Sequence, residues 1–415
     1  MRAIKLIIMF FAVVSLWGCQ SSADSSVKPG TWRATLSRDG QTLPFILDIV
    51  QNADGKTYTV YSVNGNERLK LDSAFFEKDS LHIPMELFDS EITALVDGEK
   101  LTGLYKRLDG KTVTGSLPFQ ATFGTNYRFF KEEALEGVKN VAGKYATIFK
   151  NEVTKDSTEA VGNFTQKGSI VEGSFLTPTG DYRFLSGNVK GDSLYLSTFD
   201  GSNAYLIKAA ILKDGVLKGA MWSGIKGYKT FTSILNENAK LPHATKLTYL
   251  KPGLETIDFT FPDADGKPLS FNDPRFKGKP VIIQLMGSWC PNCMDETNFI
   301  APWYKKNKDR GVEVIGLAFE HSADLAVSAP KLKRMVSRFG IAYPILLAGT
   351  NTNEATAKAL PMLNKVMSYP TTIFVDKKGK VREIHTGFSG PGTGKYYDEF
   401  VADFNQLMDK LISEK

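Results

Sequence analysis

Cys290 and Cys293 stand two residues apart in the run Trp289-Cys290-Pro291-Asn292-Cys293. That spacing can close a small disulfide, or it can supply half of a zinc site. The neighbouring residues indicate where the pair sits. Val281 to Met286 is apolar and reads as a buried strand, while Phe299, Ile300, Trp303 and Tyr304 recur at helical spacing further on. A helix therefore starts beside Cys290, with Pro291 in its first turn, where a missing N–H costs nothing. A thiolate on Cys290 would face free backbone N–H groups and the positive end of the helix dipole, and both lower a cysteine pKa. Cys293, one turn on, shares that face.

Zinc needs a second half-site. The chain offers only four histidines, His82, His243, His321 and His385, and no two are spaced as ligands. No metal and no cofactor is therefore expected. A structural staple is also a poor reading, because a four-residue loop constrains little of the unfolded chain. The pair reads as a working redox couple. The net charge of +6 is modest over 415 residues, and no basic cluster is interleaved with aromatics. Nucleic-acid binding has no support.

The third cysteine, Cys19, follows a positive start (Arg2, Lys5) and an apolar run from Leu6 to Trp17. That run is shorter than the roughly 20 residues of a comfortable membrane span. The sequence then turns polar at Gln20. Leu16-Trp17-Gly18-Cys19 resembles the lipobox of bacterial lipoproteins, with Trp17 a departure where a small residue is usual. The resemblance implies cleavage after residue 18 and a lipidated Cys19. The protein would then be exported to the cell envelope, facing the periplasm and lipid-anchored to a membrane. The alternative is an ordinary signal peptide with an incidental cysteine. In an oxidising compartment a single close pair suits redox work better than structural cross-linking.

Residues 1–18 thus read as a signal peptide and 19–29 as a tether. From 30 to 235 short strands alternate with turns such as Asp39-Gly40, Asp97-Gly98 and Asp214-Gly215, the pattern of an all-β sandwich or barrel. Gly30 and Gly143 stand 113 residues apart, as do Asp79 and Asp192 within similar Asp-Ser-Leu motifs. This suggests a duplication, with repeats at about 30–125 and 141–235. The aromatics of this region, Trp32 and Phe75 among them, read as core and edge residues. Residues 236–253 form a polar linker. From 254 to 415 strands alternate with helices, which is an α/β domain.

Three segments of that last domain resemble thioredoxin-fold thiol–disulfide oxidoreductases of the membrane-anchored ResA/TlpA class. They are Gly278-Lys279-Pro280-Val281-Ile282-Ile283, the Trp289–Cys293 motif, and Tyr369-Pro370-Thr371-Thr372, whose proline lies 80 residues after Cys290. The resemblance implies that Cys290 attacks a client disulfide and that Cys293 resolves the mixed disulfide. It makes Pro370 a cis proline. Trp289, Pro291, Tyr369 and Pro370 would then form the surface on which a client strand docks. The clients would be disulfide-containing exported proteins, and the electrons would come from a membrane dithiol donor.

The sequence departs from the thioredoxin pattern in two places. Gln284 stands six residues before Cys290, where thioredoxins carry a buried carboxylate. Glu296 matches the acidic residue that ResA-like proteins place beside the site, and so becomes the expected proton acceptor for Cys293. Asp295 and Glu320 read as solvated charges. The second departure is an inserted helix within 351–366, which could line the docking surface or be plain surface elaboration. Pro291-Asn292 contains no histidine, unlike strongly oxidising members of the fold, and this favours a reductase. An oxidase or isomerase of the same fold is one alternative. A lipoprotein whose β region recruits a dedicated client is another.

Overall fold

The computed structural model describes residues 26–131 and 138–415. The proposed signal segment and Cys19 lie outside the described residues. Among the described residues, no helix is long and apolar enough to cross a membrane.

Eight antiparallel strands, from Gly30–Arg38 to Thr112–Phe123, pair in sequence order, and the last pairs with the first to close a barrel. Alternation along each strand fills the interior. Trp32, Ala34 and Leu36 of the first strand are buried, and Phe45, Tyr58, Tyr105 and Phe119 share the interior with them. Phe75 instead lies outside, 40% exposed and stacked on His82. The strands from Gly143–Lys150 to Gly227–Leu235 form a second sheet. Pairing of Ser157–Lys167 with Ile170–Thr177 brings it round on itself. Gly30–Arg38 and Gly143–Lys150 begin 113 residues apart, as do Ser80–Met85 and Ser193–Phe199. Closure leaves neither body with a long free edge.

The two barrels are joined by more than chain. Phe199, at the end of a strand of the second barrel, is fully buried against Phe45 and Tyr105 of the first, at ring separations of 4.4 and 5.5 Å. Arg128 runs between them. Its guanidinium donates to the carbonyl of Val63 at 2.6 Å and to that of Ser197 at 3.1 Å.

The C-terminal sheet has the order Ile345–Thr350, Glu313–Glu320, Val281–Met286, Thr371–Val375, Val381–Thr386. The first three strands are parallel and the last two antiparallel. Val281–Met286 is central and buried on both faces, which explains its unbroken apolar run. Helix α1 (Pro291–Asn307), α2 (Leu325–Phe339) and α4 (Lys395–Ser413) pack on the face that carries Ile282, Met286 and Phe374. The segment around Phe259 and Phe276 covers the opposite face. Asp324 caps α2, accepting from the Ala326 N–H at 2.9 Å. The inserted helix α3 is Asn353–Ala359.

Candidate active site

The central strand delivers the chain to Gly287, and α1 begins four residues later. Cys290 caps that helix: its Sγ accepts from the Cys293 N–H at 3.2 Å. A negative charge on Cys290 would be held by this bond and by the helix dipole. The two cysteines are joined as a disulfide, with Cα atoms 5.2 Å apart. Cys290 is 5% exposed and Cys293 is sealed. That asymmetry suits an attacking and a resolving sulfur.

Across the disulfide, the Tyr369–Pro370 peptide is cis. The Tyr369 carbonyl oxygen lies 3.5 Å from Cys290 Sγ. Trp289 leans over this end of the sheet, donating from Nε1 to the Phe319 carbonyl at 2.9 Å. It stacks on His321 and meets Tyr369 edge-on. Gly287 leaves room for it, since a Cβ there would lie 2.3 Å from the indole nitrogen. Tyr369 Oη is 2.8 Å from Thr356 Oγ1 of α3, so the inserted helix props the proline loop.

Beneath the disulfide lies a polar network with no exposure. Glu296, one turn after Cys293, accepts from Thr372 Oγ1 at 2.7 Å and from Gln284 Nε2 at 2.8 Å. Burial pushes its carboxyl up to about 7, although both hydrogen bonds pull the other way. Gln284 thus occupies the strand position where a carboxylate is missing and holds Glu296 in place. Thr297 fixes the same turn by donating to the Cys293 carbonyl at 2.8 Å.

The two carboxylates read as solvated charges are not solvated. Glu320 is 2% exposed and accepts from both the N–H and the Oγ of Ser288 at 2.7 Å. It therefore pins the loop that leads into the motif, and burial raises its pKa. Asp295 is bonded to Arg183 of the second barrel at 2.5 Å. That arginine, with a side chain 2% exposed, also meets Glu67 of the first barrel and Asp200, and donates to the Pro291 carbonyl at 3.2 Å. Burial alone would lower its pKa, but Asp295, Glu67, Asp200 and Asp181 outweigh that and hold it firmly protonated. Burial, opposed by Arg183, places Asp295 at about 7.

Both β bodies therefore reach the redox motif. Asp181 accepts from the Gly390 N–H at 2.6 Å, and its carbonyl lies 3.4 Å from Asn292 Nδ2, between the two cysteines. A Cβ on Gly180 would fall 2.2 Å from that nitrogen, so the backbone itself packs on the dipeptide. The Gly387–Gly394 run ends in a short turn, Pro391–Thr393, ahead of α4. Arg183, Asp181 and Glu67 carry no local sequence signal. They lie in ordinary hairpins and matter through contacts between residues more than a hundred positions apart.

This arrangement defines a thioredoxin-fold thiol–disulfide redox centre. The Redoxin family matches residues 251–399. Thiol-disulfide oxidoreductase ResA of Bacillus thuringiensis subsp. konkukian is 31% identical over 137 residues, 33% of this chain and 70% of that protein. ResA of Bacillus cereus is 28% identical over 159 residues, 38% of this chain and 78% of that one. A thiol:disulfide interchange protein of Chlorobium tepidum is similar at 23% identity with a TM-score of 0.30, covering 38% of this chain and 96% of that one. The chain belongs to the ResA-like family of thioredoxin-fold thiol–disulfide oxidoreductases, and it is an oxidoreductase.

Proposed function

We propose that this protein reduces disulfides of exported proteins while held to a membrane through lipidated Cys19. In the reduced enzyme the Cys290 thiolate attacks one sulfur of a client disulfide. A Cys290–client disulfide forms and the other client sulfur leaves as a thiolate. Glu296 takes the Cys293 proton. The Cys293 thiolate then attacks Cys290 Sγ, closing the 290–293 disulfide and releasing the second client thiolate. Two electrons pass from the cysteine pair to the client, and a membrane dithiol donor restores the pair.

The buried Glu296 is the observation that carries the direction of this reading. A carboxylate sealed behind the pair makes a second negative charge there costly. The less the reduced thiolate is stabilised, the stronger the reductant. The lipobox-like segment supports export and anchoring. Insulin reduction by the full chain with a dithiol donor tests the activity, and radiolabelled fatty acid tests Cys19. Absence of insulin reduction would defeat the enzymatic reading. Absence of label would defeat the anchored one.

A further inference from the structure

A cavity of about 450 Å³ lies where the second barrel, the linker and the redox domain meet. One end of it abuts the redox site. Gly387 there donates its N–H to the Pro370 carbonyl at 2.8 Å. The Thr179–Gly180 backbone of the second barrel packs on Gly387, and Gly180 also packs on Asn292. The remaining lining includes the apolar Leu176, Pro178 and Phe388. Its lining is cationic: among the described residues, Lys144, Lys240 and Lys395 accompany one carboxylate, Glu399. Lys144 and Lys395 sit over the Tyr396 ring at 5.4 and 5.6 Å. The buried Tyr396 hydroxyl has no hydrogen-bond partner among the described residues.

These features describe a place for something extended, partly apolar and acidic. We propose that this cavity is a client-docking groove, receiving an acidic flank of the polypeptide whose disulfide is engaged at Cys290. The inference rests on the protein-disulfide reading above and gives it a substrate chemistry. A client strand laid along the cis-proline loop passes over the exposed Thr179, which covers Gly387, and enters the groove. Carboxylates there meet Lys144 and Lys395. The second barrel thereby becomes part of the substrate site, and clients with a basic flank are disfavoured.

The test uses the full chain and two synthetic peptide disulfides, identical except for three glutamates or three lysines on one side of the cysteine. With the flank on the productive side, kcat/KM for the glutamate peptide exceeds that for the lysine peptide by about fivefold or more, as expected for charge pairs in a solvated cleft. Half-molar salt brings the ratio towards one. The Lys144→Glu, Lys395→Glu double variant inverts it. A wild-type ratio near one with the flank on either side, or a preference insensitive to salt, overturns the groove. Failure to reduce insulin as well as both peptides instead overturns the reductase reading beneath it.

Discussion

In the proposed relay the two cysteines divide their work by exposure, and substitution should separate the roles. Cys290→Ser removes the attacking sulfur and should abolish turnover. Cys293→Ser should leave attack intact and trap a client–Cys290 disulfide, visible by non-reducing electrophoresis and mass spectrometry. Glu296 adds a pH signature. Its folded pKa, about 7, lies above the ordinary glutamate value of 4.5. The folded protein therefore binds an extra proton between these values. That contribution is fully present below about pH 4.5 and is lost as pH rises through 7, at a cost approaching roughly 3 kcal/mol. Glu296→Gln should remove this dependence, so that the variant gains on wild type in Tm between pH 6 and pH 8. Asp295, also placed near 7, titrates in both proteins and cancels in the comparison. The same variant should slow resolution by about a hundredfold through loss of the proton acceptor, read as accumulation of mixed disulfide.

Among the elements, the start of α1 is held from several sides. The central strand brings it in, and Glu320 fixes the preceding loop through Ser288. Arg183 ties its first turns to both barrels. Arg183→Met would leave Glu67, Asp200 and Asp295 without their cation. Breaking a buried ion network in this way costs about 3–5 kcal/mol, to be read from denaturant unfolding. The loosened helix should also exchange the amides of its first free turn faster. Much of α1 was legible in advance. Pro291 marks its start, and Phe299, Ile300 and Trp303 mark its buried face. The environments of Asp295 and Glu320 were not legible. A helix-face aspartate looks solvated until a barrel hairpin places Arg183 beside it. Glu320 ends a strand, where charges are ordinarily exposed.

At the scale of the whole molecule, short strands with Asp-Gly turns pointed to all-β bodies, and the 113-residue spacing pointed to two similar ones. What local pattern could not show is that these bodies abut the disulfide. The contacts rest on isolated residues such as Gly180 and Asp181, which resemble any other turn. Ion pairs Asp72–Arg338, Asp89–Lys331 and Glu86–Arg334 fasten α2 to the first barrel as well. The barrels and the redox domain should therefore unfold together in wild type, and Arg183→Met should split the transition when tryptophan fluorescence is compared with cysteine accessibility. The central claim is that this assembly makes a reductant of Cys290 and Cys293. Equilibration of the full chain against glutathione buffers, with thiols counted by alkylation, tests it most directly. The account predicts a potential at or below the glutaredoxin range, about −200 to −230 mV, and a value close to about −120 mV, that of the strong periplasmic oxidant, would contradict it.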